Sequence, residues 1–165
     1  MFIEGKNLVK KYGKGEATVF ALDHTDFSME KGEIVVILGP SGSGKSTLLN
    51  ILGGLDKVTE GSMLVEGKDL EQMSAKELEL YRRNQLGFVF QSYNLTPDLT
   101  VRENIEMTAE LVNDPVSVDT LLENLGLVKY QKHFPKELSG GQQQRVAIAR
   151  AMVKKPDILL CDELT

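Results

Sequence analysis

The sequence contains a glycine-rich run that ends in a lysine and two hydroxyl residues. The run consists of Gly39, Pro40, Ser41, Gly42, Ser43, Gly44, Lys45, Ser46 and Thr47. Its G-x-x-x-x-G-K-S spacing suits phosphate binding, because glycines let the backbone curl with its N–H groups pointing inward. Lys45 would supply positive charge to the β- and γ-phosphates of a nucleotide, and the Ser46 hydroxyl would ligate Mg²⁺. We therefore predict a phosphate-binding loop; the alternative is a chance glycine-rich turn.

The residues on either side of this run predict a strand before it and a helix after it. Glu33–Leu38 is apolar and β-branched, as expected of a buried strand. Thr47–Leu52 predicts a helix, which Gly53 and Gly54 would end. The N-terminus of that helix would add partial positive charge beneath the phosphates.

Two carboxylates follow a second apolar run near the end of the sequence. Ile158–Cys161 predicts a buried strand, and Asp162 and Glu163 come directly after it. Asp162 would contribute a contact to Mg²⁺. Glu163 points to the other side of the strand and would act as a catalytic residue on the attacking water. The alternative is an ordinary acidic turn.

A third candidate site is a short motif at the start of a predicted helix. It consists of Leu138, Ser139, Gly140, Gly141 and Gln142. Ser139 and Gln142 fit a capping box for a helix that extends to about Val153. A helix that starts with two glycines exposes several N–H groups and so provides a site for phosphate. Arg145 and Arg150 would make this region locally basic.

The remaining chain alternates between strand and helix patterns, which predicts an α/β fold with a mainly parallel central sheet and N-terminal antiparallel strands. Residues 92–138 show no strand pattern, so we interpret them as a helical subdomain within a single domain of residues 1–165. The other predicted elements are strands at Met1–Tyr12, Val19–Met29, Gly61–Gly67 and Leu86–Phe90, and helices at 74–84, 100–111 and 117–125, the last capped by Ser117 or Asp119.

In this order along the whole chain, the motifs resemble the nucleotide-binding domain of ABC transporters. The resemblance rests on the phosphate loop, Gln91 at a strand end, the Leu138–Gln142 signature and the Asp162-Glu163 pair. It implies a phosphate-loop NTPase fold, ATP and Mg²⁺ as cofactors, and ATP hydrolysis. Gln91 would contact Mg²⁺ and the attacking water. Tyr12 would stack on adenine, unless it is an ordinary aromatic residue at a strand end.

The resemblance also implies partners. In this family two domains pair head to tail, so Ser139, Gly140, Gly141 and Gln142 would bind the γ-phosphate of ATP held by a second copy. An integral membrane permease subunit would be the other partner. The protein would then be cytoplasmic, lying on the inner face of the cell membrane through that permease.

Four segments resemble one branch of the family, which serves lipoprotein release, macrolide export and antimicrobial-peptide resistance. They are Tyr12–Gly15, Ala21–Asp23, Ile51–Asp56 and Phe88–Gln91.

Composition sets limits on other functions. The net charge is -5, which argues against broad nucleic-acid binding. The single cysteine, Cys161, cannot form an internal disulfide and fits a reducing compartment. No apolar run reaches the roughly 18 residues that a membrane-spanning helix needs.

The C-terminal residues depart from the family pattern. The family usually has proline where Leu164 stands, followed by an aspartate loop and a switch histidine, and His24 and His133 lie too early to replace that histidine. We therefore expect an incomplete domain that is inactive alone. A non-transport ABC ATPase and an inactive ATP-binding fragment are the alternative functions, although the compact helical insertion favours transport.

Overall fold

The computed structural model describes residues 1–162, and the chain divides into two compact units, Met1–Leu78 and Glu79–Thr165. The predicted α/β class is confirmed. The strands are β1 (Ile3–Tyr12), β2 (Val19–Met29), β3 (Glu60–Val65), β4 (Lys68–Asp69), β5 (Leu86–Val89) and β6 (Ile158–Cys161). The helices are α1 (Lys45–Leu52), α2 (Ala75–Asn84), α3 (Val101–Ala109), α4 (Val118–Asn124) and α5 (Gly140–Met152).

The first unit contains an antiparallel sheet in the order β2-β1-β3-β4, which confirms the predicted N-terminal antiparallel strands. In β1, Ile3 pairs with Met29 of β2 on one side and with Val65 of β3 on the other. Apolar residues of β1 and α1 form buried parts of this unit, including Leu8 and Ile51. Burying an aliphatic side chain of this size contributes about 1.5–3 kcal/mol to folding.

The prediction of a strand over residues 33–38 was wrong. No strand forms there, and Ile34, Val36 and Leu38 are 91%, 73% and 87% exposed. A β-branched run becomes a strand only when neighbouring strands pair with its N–H and C=O groups. Among the described residues, both sheets are built from other strands. The parallel part of the fold accordingly consists of β5 and β6.

The second unit contains the parallel pair β5–β6 and three helices that share an apolar core. Leu86 pairs with Ile158 and Val89 with Cys161, so the two strands end side by side. Side chains from α3, α4 and α5 form one buried cluster, which includes Ile105, Leu122 and Val146. The cluster orders residues 101–152 against one another and so positions the N-terminus of α5.

Side-chain caps fix where these helices begin. Thr100 and Glu103 form a capping box for α3, and Ser139 and Gln142 form the predicted capping box for α5. For α4 the cap is Ser117, whose hydroxyl accepts from the N–H of Thr120. Within residues 1–162, no helix combines the length and apolar character needed to cross a bilayer.

Candidate functional site

The phosphate loop encloses the ammonium group of Lys45. Lys45 Nζ donates to the carbonyl oxygens of Gly39 and Pro40, each at 2.8 Å, and lies 3.4 Å from Ser43 Oγ. Three oxygens of the loop therefore surround one cation. An ammonium held in this way can exchange those oxygens for the anionic oxygens of a polyphosphate.

Gly44 joins the loop to helix α1 in a conformation that favours glycine. Its φ is 88°, and a Cβ there would lie 2.1 Å from the carbonyl oxygen of Ala21 in β2. Both the left-handed backbone and the close contact exclude a side chain. α1 begins at Lys45, two residues before the predicted start at Thr47. The first-turn N–H groups, which lack carbonyl partners within the helix, thus belong to the loop motif itself.

Tyr12 lies at the end of β1 with its ring 45% exposed. Its hydroxyl donates to Asp56 Oδ2 at 2.7 Å. Burial raises the pKa of the Tyr12 hydroxyl, and the hydrogen bond to Asp56 raises it further. The first unit therefore holds the predicted base-stacking residue by its hydroxyl, through a carboxylate in the loop that follows α1.

Two predicted metal ligands lie at one edge of the parallel pair in the second unit. Asp162 follows β6, and its N–H donates to the carbonyl oxygen of Val89 at 2.9 Å. Gln91 lies two residues beyond Val89, so both side chains belong to the carboxyl end of this strand pair. Glu163, the predicted catalytic carboxylate, lies outside the described residues.

The donor types of the predicted site fit Mg²⁺. Ser46, Gln91 and Asp162 offer hydroxyl, amide and carboxylate oxygens, which are the ligands that this hard cation prefers. Residues 1–162 contain no group of three or more His, Cys, Asp or Glu side chains arranged to hold a metal. Mg²⁺ commonly takes one or two protein ligands and completes its shell with phosphate oxygens and water. A nucleotide would therefore have to supply the remaining Mg²⁺ ligands.

The loop after Gln91 is held by an arginine that the sequence analysis placed in a basic patch. Tyr93 and Asn94 both take positive φ, 61° and 49°, which is uncommon for residues with side chains. Arg150 of α5 donates from its two terminal nitrogens to the carbonyl oxygens of Tyr93 and Asn94, each at 2.6 Å. Burial lowers the pKa of Arg150. Arg150 therefore holds this loop in place. No local sequence pattern connects Arg150 with Tyr93 and Asn94.

The signature motif forms the exposed N-terminus of α5. Ser139 Oγ accepts from the N–H of Gln142, and Gln142 Oε1 accepts from the N–H of Ser139. Gly140 and Gly141 are exposed, take no positive φ, and have no heavy atom within 4 Å of the position that a methyl group would occupy. Neither glycine is required by the backbone or by packing within the described residues. Their small size would allow a ligand to approach the N-terminus of α5 closely.

Known proteins are similar to this chain over most of its length. The family model described as ABC transporter matches residues 22–165. A putative ABC transporter ATP-binding protein of Mycoplasma pneumoniae, the MG065 homolog, is 47% identical over 99% of this chain. The macrolide export ATP-binding/permease protein MacB of Rhodopseudomonas palustris is 46% identical over 99% of this chain. The chain spans 36% of the length of the first relative and 26% of the second.

Solved structures are similar as well. The dimeric post-hydrolysis state of the ATP-binding cassette MJ0796, bound to ADP and Pi, superposes with a TM-score of 0.89 at 42% identity. The match covers 98% of this chain and 73% of that one.

Proposed function

This chain belongs to the ABC transporter family, and we propose that it binds ATP with Mg²⁺ and hydrolyses it as the ATP-binding part of a transporter. The observation that carries the proposal is the Lys45 ammonium, held by the Gly39 and Pro40 carbonyls inside the phosphate loop. Both bonds are made to neutral oxygens. A triphosphate offers charged oxygens in their place, and charge-assisted hydrogen bonds are roughly twice as strong.

Hydrolysis would depend on positioning and on electrostatic stabilisation. Ser46, Gln91 and Asp162 would hold Mg²⁺, which neutralises charge on the β- and γ-phosphates. Gln91 would also orient the attacking water. Glu163 would accept a proton from that water, an assignment that rests on its place in the sequence directly after Asp162.

The signature motif would complete the site of a second copy. Ser139, Gly140, Gly141 and Gln142 would meet the γ-phosphate of ATP bound to the phosphate loop of the partner in a head-to-tail dimer. The exposed, unfilled space around the two glycines supports this role. The solved MJ0796 cassette is described as dimeric. Because the γ-phosphate would bridge both copies, hydrolysis would release the dimer.

We propose a membrane permease as the second partner. MacB carries both functions in its name, ATP-binding and permease. Residues 92–138 would be the helical subdomain that transmits the nucleotide state from Gln91 to that permease. The protein would then lie in the cytoplasm, on the inner face of the membrane. The corresponding subgroup proposal is the branch that serves lipoprotein release, macrolide export and antimicrobial-peptide resistance.

Calorimetric titration of ATP in the presence of Mg²⁺ tests the nucleotide site. Lys45→Ala should weaken ATP binding by about tenfold or more, because a hydrogen bond to a charged group contributes about 1.5–3 kcal/mol. Lys31→Ala is the matched control, since its ammonium lies 5.5 Å from the Phe2 ring and serves no loop oxygen that the structure records. Equal ATP affinity in Lys45→Ala and the wild type would refute the assignment of the phosphate loop.

A further inference from the structure

Both carboxylate oxygens of Asp56, in the loop after α1, accept hydrogen bonds. Oδ1 accepts from Lys10 Nζ at 2.5 Å and from the N–H of Lys57 at 2.7 Å. Oδ2 accepts from the Tyr12 hydroxyl at 2.7 Å. Lys10 is held a second time, by the carbonyl oxygen of Lys57 at 2.7 Å. One carboxylate therefore fixes two side chains at the end of β1.

The Tyr12 ring keeps an accessible surface although its tip is fixed. The residue is 45% exposed, and the Lys10 ammonium lies 5.0 Å from the ring centroid. Lys10 has only 13% of its side chain exposed and is itself bound by Asp56. An aromatic ring whose tip is bound and whose surface is open can stack on a flat base without being ordered first.

We propose that Asp56 is a positioning residue for nucleotide recognition: its carboxylate sets the Tyr12 ring, with Lys10, as the platform for the purine base of a nucleoside triphosphate. This inference rests on the proposed function and assigns a residue to the base rather than to the phosphates. Asp56 orders the Tyr12 ring before the nucleotide binds. Without the Asp56 carboxylate, the ring would have to be ordered on binding, which lowers the affinity for the nucleotide.

Comparing ATP with inorganic tripolyphosphate separates the base from the phosphates. Calorimetry on the 165-residue chain with Mg²⁺ would measure both ligands for the wild type and for Asp56→Asn. We expect Asp56→Asn to weaken ATP binding by about fivefold, since its bond to Tyr12 is charge-assisted but partly solvated. Tripolyphosphate affinity should stay within about twofold of the wild type, which also shows that the variant folds.

Tyr12→Phe provides the second arm, because it keeps the ring and removes only the hydroxyl. It should reproduce the loss of ATP affinity seen in Asp56→Asn. The double variant should bind ATP within about twofold of the weaker single variant, since both changes remove the same charge-assisted hydrogen bond between Tyr12 and Asp56. Additive losses in the double variant would show that Asp56 acts by another route, and the inference would be wrong.

Glu60→Gln is the matched control for the charge change. Glu60 pairs with Lys11, the neighbour of Lys10 and Tyr12 on β1, at 2.8 Å, and Lys11 in turn lies 5.1 Å from the Phe20 ring. Like Asp56, Glu60 pairs with a lysine of β1, but the bond that the structure records for it is to Lys11 and not to Tyr12. Glu60→Gln should therefore leave ATP affinity within about twofold of the wild type.

The outcomes separate this inference from the proposed function. If the wild type binds neither ligand, both fail. If the wild type binds both ligands and Asp56→Asn weakens them equally, or weakens neither, the phosphate site stands and the role of Asp56 in base recognition is refuted. Selective loss of ATP, with the control unchanged, supports it.

Discussion

Replacing Gly140 and Gly141 by alanine should make the chain more stable and less able to associate with ATP. Both residues lie in the first turn of α5, take no positive φ and have open space where a methyl group would go. Glycine in a helix is less favourable than alanine by about 0.5–1 kcal/mol. The double variant should therefore gain about 1–2 kcal/mol in its free energy of unfolding. For a chain of this size the unfolding midpoint should rise by roughly 2–8 °C.

The same methyl groups should block a γ-phosphate that approaches the helix N-terminus. We expect ATP-dependent association, measured by analytical ultracentrifugation in a Glu163→Gln background, to be lost in the double variant. ATP binding by calorimetry should remain, since the phosphate loop is unchanged. Glu163→Gln should slow hydrolysis in an active domain, because the amide accepts protons poorly, and any associated state should then persist long enough to be observed.

Gly67→Ala is the matched stability control. Gly67 also has open space around a methyl position, but its φ is 76°. Alanine there should destabilise the chain, because the left-handed conformation costs an L-residue about 1–2 kcal/mol. If the Gly140 and Gly141 substitutions destabilise the chain, or leave ATP-dependent association intact, the interpretation of these glycines as ligand-facing is refuted.

Two further predictions concern the loop after Gln91. Asn104→Ala should lower the free energy of unfolding by about 2–4 kcal/mol in urea titrations. Asn104 is 0% exposed, and its side-chain amide hydrogen-bonds to both the N–H and the C=O of Thr96. A loss under about 0.5 kcal/mol would contradict a stabilising role for the hydrogen bonds of Asn104. In a form of the domain that hydrolyses ATP, Arg150→Ala should slow phosphate release by about tenfold or more while ATP affinity changes by less than about threefold, because only the loop that positions Gln91 is freed. Arg150→Lys should restore little, since an ammonium cannot reproduce the two-nitrogen contact. Parallel losses of rate and affinity would point to general destabilisation.

Structural elements that depend only on neighbouring residues were predictable from the sequence. Capping boxes at Thr100 and Ser139 place donor and acceptor three residues apart, and the structure contains both. The strands β1 and β2 follow the predicted bounds closely. Such features depend on neighbours in the chain, so the sequence specifies them directly.

Features that need a distant partner were less predictable. The apolar residues 33–38 have strand propensity, yet strand formation needs paired neighbours that propensity does not report. The contacts of Asp56 with Lys10 and Tyr12 join positions 46 and 44 residues apart. Arg150 reaches Tyr93 across 57 residues. Only the folded chain brings these groups together, which is why the sequence indicated the phosphate loop but not the residues that support it.

Mixing two inactive variants tests the shared nucleotide site most directly. Both variants are made in the Glu163→Gln background. Lys45→Ala lacks a working phosphate loop, and Ser139→Arg has a blocked signature motif. In the presence of ATP-Mg²⁺, neither variant should therefore associate with itself. In a head-to-tail pair, the phosphate loop of the Ser139→Arg chain would meet the intact signature of the Lys45→Ala chain. Analytical ultracentrifugation of the mixture should then show ATP-dependent association through one restored site. A mixture that stays as monomeric as its two components, while the parent associates, would contradict a site built from two copies.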